Sequence, residues 1–174
     1  MSRVRDAAEG LEIRPWSQGD LPLLERLLGD SAMIIHLGGP ESPAQIADRH
    51  NRYCRLRERR MGSMFVVFSD GVDLGSVGYW NRAWHDDEVW ELGWSIVPEH
   101  QGRGIATRAT LLAIEHARSD GAHRFAHAFP STKNKASNAI CRKIGFEHRG
   151  IVQFEYPKGH WMECVDWRFD LSLK

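Results

Sequence analysis

The segment from Trp90 to Arg118 constrains the fold more than any other stretch of this chain. It opens with strict alternation, Trp90-Glu91-Leu92-Gly93-Trp94-Ser95-Ile96-Val97, closed by Pro98. Large apolar residues at 90, 92, 94 and 96 predict a strand buried on one face, with Glu91, Gly93 and Ser95 on the other. The turn Gln101-Gly102-Arg103-Gly104-Ile105-Ala106 follows, and a helix is predicted from about Gly104 to Ser119. At 100° per residue Ile105, Ala106, Ala109, Leu112, Ala113 and Ala117 share one arc, with His116 inside it, while Arg108 and Glu115 point away. Strand, glycine-spaced turn and helix in that order make an anion site. The glycines let backbone approach a ligand closely, and the first helical turn presents unpaired N–H groups at the positive end of the dipole.

The rest of the chain bounds what can surround that unit. At 174 residues it predicts one domain, residues 11–174, behind a flexible tail over residues 1–10. Charges balance at 23 basic and 23 acidic, which gives no push towards nucleic acid or a membrane surface. Cys54, Cys141 and Cys164 are odd in number and form no C-x-x-C pair, the usage of a reduced, cytoplasmic protein without disulfides. His123 and His127 share one strand face, but no Cys or carboxylate joins them in ligand spacing, and no metal is predicted. Met1 to Gly10 lacks the apolar core of a signal peptide, and no run reaches membrane-spanning length.

Taken in order, Leu11–Trp16 reads as a first strand, and Asp20 as the cap of a leucine-rich helix. An apolar bend over Met33–Pro40 leads to Ser42-Pro43, which opens a second helix running to about Arg60. That helix carries Arg49, Arg52, Arg55, Arg57, Arg59 and Arg60. Such a run reads as a solvated face, or as a contact for an acidic substrate or phosphates. Met64–Phe68 and Val72–Trp80 form a hairpin about Ser69-Asp70-Gly71, and Gly75 and Gly78 suggest a bulge or close backbone approach. Asn81–Asp87 reads as a polar loop into the central strand. Arg124–Phe129 is a further strand, Asn134–Ile144 a short helix, and Phe146–Tyr156 and Trp161–Leu171 two final strands turned by Pro157-Lys158-Gly159. The order β-α-α-β-β-β-α-β-α-β-β predicts a mixed α/β architecture, a mostly antiparallel sheet with helices on both faces.

The turn lacks both the Gly-Lys-Ser/Thr of a Walker loop and the Gly-x-Gly-x-x-Gly of a dinucleotide fold. Gln101-x-x-Gly104-x-Ala106 resembles the pyrophosphate loop of the acetyl-CoA-dependent N-acetyltransferases, the GNAT superfamily, and the element order is similar to theirs. Leu11-x-Ile13-Arg14-Pro15 with Asp20-Leu21 resembles that family's start, and two further stretches resemble its Rim-type branch, which acetylates protein N-terminal amines: Glu91-Leu92-Gly93-Trp94 before Pro98-Glu99, and Asn134-x-x-Ser137 leading to Lys143-Ile144-Gly145-Phe146. The resemblance implies that Gln101, Gly102, Arg103, Gly104, Ile105, Ala106 and Thr107 hold the pyrophosphate of acetyl-CoA. It implies pantetheine pairing near Ile96 and Val97, and contact of Asn134 and Ser137 with the same molecule.

Acyl transfer to an amine requires that the amine lose a proton, that the oxyanion be held and that the thiolate leave. Glu91, on the open strand face, is the expected base, unless it pairs with an arginine and only supports structure; Glu163 and His85 are the other candidates. Many GNAT members place a tyrosine seven residues after the asparagine. Cys141 stands there, so Ser137 is expected to hydrogen-bond the leaving sulfur instead; helix capping is the alternative role for Asn134 and Ser137. Trp84, His85, Asp87 and Trp161 are expected to line the acceptor pocket, Asp86-Asp87-Glu88 attracting a cation. The expected partners are acetyl-CoA and an amine, a peptide N-terminus or a small amine such as a polyamine or antibiotic, with a homodimer left open. An acyl-CoA sensor that has lost turnover is the reading from outside the enzyme class.

Overall fold

A computed structural model describes residues 10–173, apart from Ala32, Leu37, Gly38 and Pro157. The expected tail therefore lies, but for Gly10, outside the described residues, as do parts of the bend at 33–40 and of the last turn. Along the chain come β1 (Glu12–Pro15), α1 (Leu21–Gly29), α2 (Pro43–Arg55), β2 (Gly62–Ser69), β3 (Val72–Trp84) and β4 (Asp87–Ile96). They are followed by α3 (Ile105–Asp120), β5 (Phe125–Ala128), α4 (Lys135–Ile144), β6 (Glu147–Glu155) and β7 (Trp161–Asp170). This is the predicted succession. The seven strands form one sheet in the order β1-β2-β3-β4-β5-β7-β6, antiparallel throughout except between β4 and β5.

Local chemistry sets the element ends. The Ser42 hydroxyl accepts from Gln45 N–H at 3.3 Å while Ser42 N–H donates to Gln45 Oε1 at 2.8 Å, a reciprocal cap with Pro43 in the first turn. The helix it starts stops at Arg55, short of Arg60, because the chain turns through 56–60 and Arg60 takes a left-handed φ of 53°. Asp20, expected to cap α1, is engaged elsewhere: Arg14 and the Ser17 hydroxyl and N–H all donate to its carboxylate.

The sheet separates two cores. On one face α3 packs Ile105, Ala109, Ala113 and Ile114 against Phe65, Val77, Trp90 and Leu92. On the other, α1 and α2 pack Leu24, Leu27 and Ile46 against Trp16, Met64, Val66 and Val97. The buried arc of α3 is rotated from the predicted one. Thr110 and Ile114 are buried, Leu112 is half-buried, and His116 is exposed with its ring 4.7 Å from that of Phe65. Thr110 tolerates burial because its Oγ1 donates to the Ala106 carbonyl at 2.7 Å.

The segment 81–87 is strand where a loop was expected. β3 and β4 pair from Gly75↔Ile96 to Trp84↔Asp87 and leave only His85-Asp86 as the turn, with His85 at φ 54°. Trp84 anchors the extension by donating to Asp166 Oδ2 on β7 at 3.0 Å, which outweighs the polar composition that suggested a loop.

Candidate active site

The sheet opens at its centre. β4 and β5 pair only at Trp90↔Ala126 and Glu91↔His127. Past that point β5's continuation turns to β7, where Pro130 accepts from Val165 N–H and Thr132 donates to the Glu163 carbonyl, while β4 stays with β3. Val97 N–H is committed to the Leu74 carbonyl of β3 at 2.9 Å. Because hydrogen-bonding sides alternate along a strand, the backbone groups of Leu92, Trp94 and Ile96 face the wedge from which β5 has departed. An amide there has no strand partner and can bond an extended ligand arm or a developing oxyanion.

At the mouth of the wedge, Gly102 and Gly104 take φ of 72° and 73°. Nothing lies within 4 Å of where either Cβ would stand, so glycine is required by backbone conformation, and the space above stays open to a ligand. The first intrahelical bond of α3 runs from Arg108 N–H to the Gly104 carbonyl, which leaves the N–H groups of Ile105, Ala106 and Thr107 without acceptors inside the helix. Gln101 Nε2 donates to the Ile96 carbonyl at 2.8 Å and ties the turn to the end of β4. Arg103 and Arg108 are exposed beside it. The turn thus has what a pyrophosphate needs: free donors, the positive end of a dipole and no side chain in the way.

Within the wedge lies a cavity of about 230 Å³. The alternation of β4 operates as predicted: Glu91, Gly93 and Ser95 line the cavity, together with Trp80, Asn134 and Ser137. A Cβ on Gly93 would come within 2.5 Å of Trp80 Cη2, so this glycine lets the indole of the neighbouring strand lie across the cavity wall.

Glu91 is mostly buried and forms an ion pair with Arg82 of β3 through Oε2. The Arg82 guanidinium is braced over the Phe154 ring at 4.4 Å and the Phe129 ring at 5.7 Å. Oε1 of Glu91 receives no hydrogen bond among the described residues. Asn134 caps α4, its Oδ1 accepting from Ser137 N–H at 3.0 Å; Ser137 Oγ remains on the cavity wall. Cys141 is fully buried, and burial pushes its thiol up to about 12, far from a reactive thiolate.

The residues expected at the acceptor end sit elsewhere. Trp84 is held by Asp166, His85 packs tilted against Trp84 with ring centroids 4.7 Å apart, Asp87 is exposed at the start of β4, and Trp161 is 61% exposed; none of the four lines the cavity. The long β3–β4 hairpin carries the first three past the wedge. Glu163 is exposed, on the β7 face opposite its neighbour Met162, which does reach the cavity. The cavity is lined instead by residues such as Leu24, Tyr53 and Arg49 from the helices and Phe154 and Tyr156 from the β6 end. Arg49 pairs with Glu41 and bonds the Tyr156 hydroxyl, which donates to Glu41 Oε1 at 3.2 Å. Sequence reading missed Tyr53 and Arg49 because they lie on a helix whose register against the sheet has no local signal.

Asn138 was missed as well. It is buried; its Nδ2 donates to the carbonyls of Ser131 (2.9 Å) and Asn134 (2.8 Å), and its Oδ1 accepts from Trp167 Nε1 (2.8 Å). Three bonds from one amide fix the 131–134 loop, and with it Ser137, to β7.

Comparison with known proteins agrees with this geometry. Residues 10–147 match the family model of the acetyltransferase (GNAT) domain. The chain is similar to the spermidine N(1)-acetyltransferase of Escherichia coli K12, 26% identical over 152 residues that cover 86% of this chain and 80% of the relative. A solved RimL, a ribosomal L7/L12 alpha-N-protein acetyltransferase, superposes with a TM-score of 0.77 at 21% identity, covering 94% of this chain and 92% of that one. The acetyltransferase YncA of Salmonella typhimurium, solved with acetyl-CoA, gives 0.75 at 18% identity over 95% and 96%.

Proposed function

The chain belongs to the GNAT family of acetyl-CoA-dependent N-acetyltransferases, and we propose that this member acetylates the N-terminal amine of a peptide or protein. The observation that carries the acceptor class is the charge of the cavity. Glu91 is the single carboxylate among its described lining residues, and it is already paired with Arg82. The rest of the wall is aromatic or apolar, as at Leu24, Tyr53, Trp80 and Phe154, with neutral polar groups such as Ser95, Asn134 and Ser137 and one cation, Arg49. A polyamine would bring several ammonium groups into a wall with one neutralised anion, at a large desolvation cost. A peptide N-terminus brings one amine and an uncharged body.

Acetyl-CoA supplies the thioester; the turn Gln101–Thr107 would hold its pyrophosphate, and the wedge-facing edge of Leu92, Trp94 and Ile96 its extended arm. Oε1 of Glu91 accepts the amine proton, directly or through a water, while Arg82 keeps the carboxylate aimed at the cavity. The wedge-facing N–H groups of β4 receive the developing oxyanion. Ser137 Oγ donates to the sulfur as it gains charge. The acyl group passes directly to the amine. The buried Cys141 takes no part.

Relatedness to the spermidine enzyme supports a small polyamine as the second reading. Release of free CoA thiol, followed with a library of peptides of mixed N-terminal residue and with spermidine, separates the two. Peptide turnover with acetyl mass on the α-amine is the expected result. Turnover of spermidine and of no peptide overturns the proposal.

A further inference from the structure

The end of α2 carries more positive charge than the fold uses. Arg52, Arg55, Arg57, Arg59 and Arg60 are all exposed, and none forms an ion pair or side-chain hydrogen bond among the described residues. Many other arginines are paired, as Arg14 is with Asp20, Arg82 with Glu91, Arg124 with Asp170 and Arg168 with Glu147, while Arg103 and Arg108 stand unpaired among the described residues beside the glycine turn. A helix C-terminus accounts for about half a unit of negative charge. Five guanidiniums against that half charge and the single acid Glu58 repel one another at spacings of one to three residues.

These arginines also border a groove. Arg57 and Arg60 line a surface pocket of about 550 Å³ with Ser63, the Tyr79 hydroxyl, His116 and Ser119; its one acid, Asp120, accepts from the Tyr79 hydroxyl at 3.3 Å. Arg57 and Ser63 belong as well to a smaller groove that contains Tyr53 and Met64. Tyr53 and Met64 in turn line the acceptor cavity. The groove thus shares Tyr53 and Met64 with the cavity on one face of the sheet, and Arg57 and Ser63 with the pocket on the other, around the start of β2. The distance along α2, from Arg49 to Arg55, is roughly 9 Å at 1.5 Å per residue, the span of about three extended residues.

We propose that the arginines at the end of α2, with the pocket of Arg57 and Arg60, dock an acidic segment of the protein acceptor, a few residues beyond the amine that enters the cavity. The proposal rests on the peptide-acceptor reading above and adds to it a charge preference outside the cavity. Continuity with the acceptor cavity favours protein over nucleic acid. So does the surface itself: beside the arginines Trp16 and Tyr79 are buried and Tyr53 half-buried, and the exposed His116 ring alone is no run of rings for successive bases to stack on. Electrostatic docking of this kind acts on encounter and apparent affinity, and it weakens with salt.

Two peptides with the same four N-terminal residues, one continued by Asp and Glu and one by Ser and Gln, test it. With the wild-type enzyme at 50 mM salt, the KM of the acidic peptide is expected to be about tenfold lower, with the advantage gone at 500 mM. Arg57→Gln with Arg60→Gln is expected to remove the advantage and leave the neutral peptide's KM and the melting temperature unchanged. Equal KM values for the two peptides, or an advantage that survives in the double variant, overturns the proposal. N-terminally blocked, fluorescent versions of both peptides, read by anisotropy on the CoA-saturated enzyme, make the test independent of turnover. Tighter binding of the blocked acidic peptide with no peptide acetylated upholds the docking surface and sinks only the acceptor reading. Single-stranded RNA of equal charge binding more tightly than the acidic peptide overturns the choice of partner.

Discussion

Glu91 is a structural partner of Arg82 and, in the proposed mechanism, the base. Its Oε2 is held by Arg82, which rests on two aromatic rings, while Oε1 receives no hydrogen bond among the described residues and the residue lines the cavity. Glu91→Gln keeps the size and most of the hydrogen bonding but removes the basic site. Turnover is expected to fall on the order of 10²-fold, with acetyl-CoA affinity unchanged by calorimetry. An unaltered rate and pH profile would leave Glu91 with the structural role alone. Ser137→Ala is expected to lower kcat more than it weakens acetyl-CoA binding, since the proposed bond to sulfur would strengthen as charge develops. Cys141→Ala should leave kcat within about twofold, because a thiol pushed up to about 12 has almost no thiolate at neutral pH. Rapid acetylation of Cys141, seen by mass spectrometry, would reverse that assignment. Glu91 and Ser137 were legible because strand alternation and a helix cap are local patterns. That Glu91 pairs with an arginine was the weighed alternative, but that the arginine is Arg82 was not legible, since the bond crosses a hairpin whose polar composition resembles a loop.

At the scale of elements, hydrophobic period and turn chemistry located all seven strands and four helices in order, and the misjudgements fall at their ends. α2 stops five residues early, and β3 and β4 run into the expected loop, because a residue's side-chain anchor decides where pairing ends. The acceptor end suffered most. Tyr53, Arg49 and Tyr156 converge on it from α2 and the end of β6, which are far apart in sequence. α4 offers the sharpest test of how an element positions chemistry. Asn138 links it to the 131–134 loop and, through Trp167 Nε1, to β7. Asn138→Ala strands the buried Trp167 donor and removes one of two bonds to each of the Ser131 and Asn134 carbonyls, expected to cost about 1–3 kcal/mol by denaturant unfolding. If the bonds also set Ser137, kcat falls further than the melting temperature alone explains. A variant that loses stability but keeps full kcat at 20 °C would confine Asn138 to a structural role.

The whole molecule consists of two half-sheets joined at the backbone by two residue pairs, Trp90↔Ala126 and Glu91↔His127, with the wedge opening beyond them. α3 crosses beneath the junction and packs on β3 and β4, so the join depends on that core as much as on strand pairing. A long ligand laid in the wedge would supply the missing strand contacts and touch both the turn at Gly102–Gly104 and the loop at Asn134. Binding the native state alone stabilises by about 2.7 kcal/mol at a hundredfold excess over Kd. For a chain of this size each kcal/mol raises Tm by roughly 2–4 °C, so a shift of about 5–11 °C is expected with saturating acetyl-CoA. The location of the effect is the stricter test. Hydrogen exchange should slow at the amides of Trp94 and Ile96 and in the first turn of α3, at Ile105–Thr107, whereas Val97, already bonded to Leu74, should change little. Gly104→Glu places a side chain and a negative charge where φ is 73° and the site is open to phosphate, and should abolish both the Tm shift and the protection. Protection that appears uniformly along the chain, or at Val97 and not at Trp94 and Ile96, would mean that the ligand does not lie along the wedge-facing edge of β4.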